Sequence, residues 1–173
     1  MPTQRLIWLC VLFLSAAFIP AFYPAVSVFW WTLLAGLVLI TSADMILALR
    51  LPVPEVTRKL PGSLALGVRE FIQIKLTHKG KRPLILDVHD MHPLDMQVSG
   101  LPSRLTLKPG GFAKITYTVT PLERGETCFT GTQLLLHSPL GLWRRKVKQP
   151  LEQLTRVYPN FAAVAKYTLL IWI

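Results

Sequence analysis

Two apolar runs occupy the start of the chain and constrain its fold more than any motif does. Residues 6–23 carry no formal charge, and residues 25–49 carry one, Asp44. A helix rises about 1.5 Å per residue, so about 20 apolar residues cover a hydrocarbon layer about 30 Å thick. Tyr23-Pro24 separates the runs, and Pro20 lies just before it. Proline lacks an amide hydrogen and disfavours helix at the preceding residue, which favours a break here. The pattern predicts a transmembrane helical hairpin, with spans at about 6–23 and 25–49 inside an anchor of residues 1–51.

Flanking charge sets the expected orientation. Arg5 precedes the first run; Arg50, Arg58 and Lys59 follow the second; the turn between carries none. Lys and Arg near span ends stay on the cytoplasmic side, so a multi-pass membrane protein with both termini cytoplasmic is expected. A cleaved signal peptide is the competing reading, with Arg5 as its basic region. No small-x-small cleavage site stands before a polar stretch, because the second apolar run begins at once.

Charge then divides the chain. The 173 residues carry a net charge of +10, and Arg5 and Asp44 cancel before Arg50. The whole excess therefore lies in the remaining segment, which at about 105 to 120 residues is long enough for one modest core. A basic domain tethered at the inner surface is drawn to anionic lipid. Nucleic acid is not an expected partner, because the basic residues are dispersed and neither zinc-finger spacing nor an aromatic ribonucleoprotein motif is present. The one dense run is Arg144-Arg145-Lys146 with Lys148, read as a solvated strand face that docks lipid or an acidic partner. Cys10 falls in the first apolar run and Cys128 in a predicted strand, which argues against a disulfide scaffold.

From Pro52 the texture changes to short alternating runs. Leu66, Val68, Ile72, Ile74 and Leu76 share one parity, against Arg69, Gln73, Lys75 and Thr77, with Glu70 as an interruption. That period of two marks a strand with one buried face. Further strands are expected at 84–88, 104–107, 115–119, 127–137, 142–148 and 154–158. Lys108-Pro109-Gly110-Gly111 and Ser138-Pro139-Leu140-Gly141 read as turns. Short strands without intervening helical runs predict an all-β antiparallel Ig-like sandwich over residues 52–159, on the cytoplasmic side. Residues 160–173 form a short apolar tail, too short to cross a bilayer alone.

Several phrases then fit together in order. They are Arg58-Lys59-Leu60-Pro61, Leu66-Gly67-Val68, Asp90-x-x-Pro93, Tyr117-x-x-x-Pro121-x-x-Arg124-Gly125, Pro139-Leu140-Gly141-Leu142-Trp143 and Val157-Tyr158-Pro159. With the apolar hairpin before them, they resemble the N-terminal portion of the bacterial family called "domain of unknown function 58". The resemblance implies a membrane partner of a MoxR-type AAA+ ATPase. Full-length members continue into a von Willebrand factor A-like part, and the Asp-x-Ser-x-Ser-like strand end that holds a metal there is missing from this sequence. The chain is thus expected to supply anchor and spacer beside the ATPase and von Willebrand A-like proteins, or else to be a truncated remnant without independent function.

Among candidate chemistries, Asp87, His89, Asp90 and His92 form the densest polar set. Imidazole and carboxylate ligands suit a divalent ion, and a metal-dependent activity at His89 and His92 is the alternative from a different class. In a strand, Asp87 and His89 face one way and Asp90 and His92 the other, so Asp90-x-x-Pro93 is read as a strand end whose Asp bonds local amides. Arg124 is expected to pair with Glu123 or Glu126, while Gly125 supplies a special backbone angle. Ser138 is not in a nucleophile elbow. Asp44 lies about 9 Å along the helix from Arg50, near the interface, and is read as reaching headgroups or a basic neighbour rather than relaying protons. The sequence therefore predicts a membrane-anchored, non-enzymatic scaffold with no cofactor.

Overall fold

The computed structural model describes residues 1–159; the apolar tail falls outside them. Helix α1 spans Gln4–Ala16, α2 Phe18–Phe22 and α3 Ser27–Leu49, with a 3₁₀ turn at Pro24–Val26. The first run is thus not one helix to residue 23. Pro20 cannot donate to the carbonyl of Ala16, and its ring crowds that carbonyl, so α1 ends at Ala16. Among the described residues only Pro24–Leu49 is long and apolar enough to cross a membrane; the apolar stretch Gln4–Pro20 is shorter. Leu6 of α1 and Asp44 and Ala48 of α3 are buried. By contrast Trp8, Leu12, Leu14, Val28, Phe29 and Leu39 stand exposed.

Nine strands follow among the described residues, in an all-β sandwich. They are β1 Glu55–Lys59, β2 Ser63–Ala65, β3 Glu70–Thr77, β4 Leu84–Met91, β5 Met96–Ser99, β6 Ser103–Leu107, β7 Phe112–Pro121, β8 Gly125–His137 and β9 Arg144–Tyr158. One sheet has the order β1-β3-β7-β5 and the other β2-β9-β8-β4-β6. The pairing departs from the fully antiparallel expectation at one edge, where β2 runs parallel to β9. Alternation builds the core: Ile72, Ile74 and Leu76 meet Ile115, Tyr117 and Val119 from the first sheet, against Leu84, Leu86, Val88, Phe129, Leu134 and Leu136 from the second.

Three differences from the sequence reading have local causes. Leu66 and Val68 precede β3 rather than begin it, because Gly67 turns the chain at φ 70° and Leu66 bonds Tyr158 instead. Strands β1, β2 and β5 are short and carry too few apolar residues to stand out. The strands expected at 142–148 and 154–158 are one, β9, which starts only at Arg144; a bulge between Phe129 and Gly131 puts Gly131 opposite Pro150 and absorbs the missing proline amide. A Cβ on Gly131 would lie 2.5 Å from the Gln149 carbonyl oxygen, so only glycine fits there.

Candidate functional site at the foot of the helices

The apolar helices meet the sandwich through the turn before β9. Asp44, on the last turns of α3, is fully buried. Ser138 donates its hydroxyl to Asp44 Oδ2 at 2.6 Å, Leu140 its amide to Oδ1 at 3.0 Å, and Leu142 its amide to Oδ2 at 3.3 Å. Ser138 Oγ in turn accepts the Trp143 amide at 3.0 Å, and Trp143 Nε1 donates to the Thr41 carbonyl at 2.9 Å. The turn predicted at 138–141 is therefore present, and its amides converge on a carboxylate. Asp44 pairs with no basic neighbour among the described residues. Oriented N–H and O–H dipoles offset its burial instead.

The start of the chain closes on the same turn. Thr3 donates its amide to the Leu142 carbonyl at 2.9 Å and its hydroxyl to the Gly141 carbonyl at 2.8 Å. The N-terminal ammonium donates to the Arg144 carbonyl at 2.7 Å, and the Arg144 amide returns to the Met1 carbonyl at 2.8 Å. Arg145 donates to the carbonyls of Leu49 and Leu51, at 2.7 and 3.1 Å, and so caps α3. Both ends of the helical segment are thereby bonded to residues 138–145.

The four basic residues expected to dock a partner do not form one surface. Arg144, Lys146 and Lys148 share the outer face of β9, opposite His137, Leu135 and Gln133 of β8. Arg145 has the other parity and is committed to the helix end. The same outer face carries Asp87, which accepts from Arg104 Nε at 2.7 Å and lies 2.9 Å from His137 Nε2. The bond from Arg104 is the main cause holding the Asp87 carboxyl below its ordinary range; burial opposes it and His137 assists.

Strand parity turns Asp90 inward and Asp87 and His89 outward, but His92, past the end of β4 at Met91, comes beside His89 instead of siding with Asp90. His89 and His92 rings are 6.2 Å apart at their centroids, and His92 Nδ1 lies 2.9 Å from the Pro93 carbonyl. Among the described residues no three His, Cys, Asp or Glu side chains converge. Asp90 corrects the turn reading: it is the last inward residue of the series Leu84, Leu86, Val88 and bonds no local amide. Arg58 and Tyr117 donate to its two oxygens, and Thr132 adds a hydroxyl at 3.2 Å. Arg58 also donates to the carbonyls of Gly131 at 3.0 Å and Leu151 at 3.1 Å, with its guanidinium 5.1 Å from the Phe129 ring centre. Burial first, and the Asp90 charge second, push the Tyr117 hydroxyl upward, so it stays a donor.

In the sequence Arg58 stands out as a flanking charge and within Arg58-Lys59-Leu60-Pro61, but not as a buried residue. Its signal was the alternation Val56, Arg58, Leu60, which turns it inward, while Leu84, Leu86 and Val88 turn Asp90 inward to meet it. The pairing expected for Arg124 is also corrected, because Glu126 binds Arg156 at 2.5 Å. Gly125 does supply a positive φ, 139°.

No protein-family model matches the chain, and no curated protein matches it. Among solved structures, the sandwich is similar to the ASH/PapD-like domain 7 of human CEP192. The identity is 14%, over 64% of this chain and 89% of that one, with a TM-score of 0.44. It is also similar to SSP-19, an MSP-domain-like protein of Caenorhabditis elegans, at 13% identity over 56% of this chain and 96% of that one, TM-score 0.37. A third likeness is to alpha-2-macroglobulin from Escherichia coli, at 18% identity over 62% of this chain but only 7% of that one, TM-score 0.48. These are likenesses of architecture and bear on no activity.

Proposed function

We propose that the chain is a membrane-anchored, non-enzymatic scaffold of a bacterial inner membrane, crossing it as a hairpin with both ends of the hairpin cytoplasmic. Its partner class, on the sequence resemblance, is a MoxR-type ATPase together with von Willebrand A-like proteins, in an assembly or maturation system. The observation that carries this reading is the bonding of Thr3 and Asp44 to one turn of the sandwich. A sandwich hung on a free linker tumbles; one clamped to its helices presents a fixed face to a partner. Exposed apolar side chains along α1 and α3 support lipid as their surroundings. The face left for a partner is the outer surface of β9, where Lys146 and Lys148 are exposed.

Topology is tested with a reporter fused after Tyr158 in the intact chain. Activity confined to a cytoplasmic-type reporter is expected; activity of a periplasmic-type reporter overturns the orientation. A photo-crosslinking residue at Lys146 should capture a MoxR-type ATPase co-expressed with the chain. Capture of the same quantity by a residue at Leu94, at the far end of the sandwich, removes β9 as the partner face.

A further inference from the structure

A basic cleft lies beside the clamped turn, at the depth where the apolar helix surface ends. It encloses about 550 Å³ and is lined by Arg5 from α1, Arg104 from β6, and Arg144 and His137 from the outer sheet face. Three guanidinium groups from elements far apart in sequence therefore approach one space. Asp87 engages Arg104 and His137, while Arg5 and Arg144 form no ion pair among the described residues. Gly141 lets the Arg5 guanidinium lie close to the turn: a Cβ there would stand 3.3 Å from Arg5 Nη1. Behind Pro139 a second cleft of about 610 Å³ presents Arg50, Lys81 and Arg82 over more apolar walls.

Depth decides which anion this geometry suits. Thr3 and Asp44 mark the level of the cleft, and from Ser27 to Ala43 the helix has about 26 Å of apolar length at 1.5 Å per residue. Ile7 on α1 and Leu140 at the lip of the cleft are both more than half exposed. A ligand seated there meets guanidinium forks beside the apolar side chains of Ile85, Pro139 and Leu140, and the apolar run of α1 begins at Leu6, next to Arg5. Guanidinium matches phosphate in planar, two-pronged hydrogen bonding, and a free phosphate has no use for the apolar side. We infer that this cleft binds the phosphate of an anionic phospholipid headgroup, with the acyl chains lying along α1 and α3. The inference rests on the membrane-anchor reading above.

The test uses the full chain purified in a non-ionic detergent, with phosphatidylglycerol and phosphatidylcholine offered as probes and retained lipid counted by native mass spectrometry. The unaltered chain should retain phosphatidylglycerol in preference. The double variant Arg5→Gln/Arg144→Gln should lower that retention by about thirtyfold, because each basic residue at the surface contributes about 1 kcal/mol. The control Lys146→Gln/Lys148→Gln removes equal charge from the exposed face and should change retention less than about twofold. Equal losses in both variants would mean a diffuse field and overturn the site, as would no loss in either. Arg5- and Arg144-dependent binding of inorganic phosphate, without lipid selectivity, would overturn the lipid assignment. Neither arginine side chain bonds the clamp, and an unchanged circular dichroism melt separates lost binding from lost fold. Resistance of the chain to alkaline carbonate extraction is scored separately: release by carbonate defeats the anchor, whereas retention with unselective lipid binding defeats only this site.

Discussion

Among the described residues two carboxylates are fully buried, and they are neutralised in opposite ways. Asp90, inside the sandwich, faces a guanidinium and draws residues from both sheets around it: Arg58 and Tyr117 from one, Thr132 from the other. Asp44, at the helix foot, faces one hydroxyl and two backbone amides of a single turn. The first arrangement needs four strands in register before any of it forms. The second needs only one turn to come against one helix. A charge answered by a charge welds a core, and removing either partner strands the other in a low-dielectric interior. A charge answered by dipoles forms a joint between two units, and its loss leaves donors that water or headgroups can reach.

This contrast fails at its strongest point if Asp90 is dispensable. Asp90→Ala in the full chain should cost about 3–5 kcal/mol, read from the denaturant midpoint of the sandwich, because Arg58 remains buried without its counter-ion. The double replacement Arg58→Met/Asp90→Leu should cost clearly less than Asp90→Ala alone. Equal costs would show that the pair does not act as a unit.

Tyr117→Phe isolates one bond of the same network. Removing a hydrogen bond to a charged group costs about 1.5–3 kcal/mol, so the midpoint should fall by less than for Asp90→Ala. The raised Tyr117 pKa adds a pH signature. Its contribution is undiminished below the unfolded value near 10 and declines as pH rises beyond it, since the unfolded chain then loses the proton first. Tyr117→Phe should flatten that alkaline limb, and an unchanged limb would count against the network.

Asp44→Asn sharpens the other side of the comparison. About 1–2 kcal/mol should be lost at the joint, seen as faster proteolysis within 138–143 and a changed Trp143 emission, while the sandwich midpoint stays near that of the unaltered chain. A large fall in that midpoint would make Asp44 part of the core and erase the distinction.

The smallest effect belongs to Asp87, an outer-face carboxylate that belongs to neither buried network. Its pKa is depressed, so its contribution is present above the ordinary carboxylate value near 4 and lost as pH falls through the lower folded value. Asp87→Asn should lower neutral stability by a small amount and flatten the acid limb below about pH 4, because the contribution it removes is present at neutral pH and already lost in acid.

Much of the architecture was legible because it is local. The apolar runs, the alternation in β3, β4, β7 and β8, and the Pro-Gly turns are written in neighbouring residues, where period and backbone preference act directly. The short edge strands were missed, and β9 was split at Pro150, because their definition lies in a partner strand. The polar sites were the least legible. Asp44 and Ser138 stand 94 residues apart, and Arg58 and Asp90 stand 32 apart, with nothing local to pair them.

The division has one physical reason. By itself the chain determined which segments must leave water, which faces of each strand turn inward, and where the backbone can reverse, since solvation and dihedral preference depend on residue type and immediate neighbours. Only the tertiary structure decided what meets the charges that go inside. A buried carboxylate tolerates any well-placed donor, whether guanidinium, hydroxyl or bare amide, and which one arrives is set by strand register and helix docking.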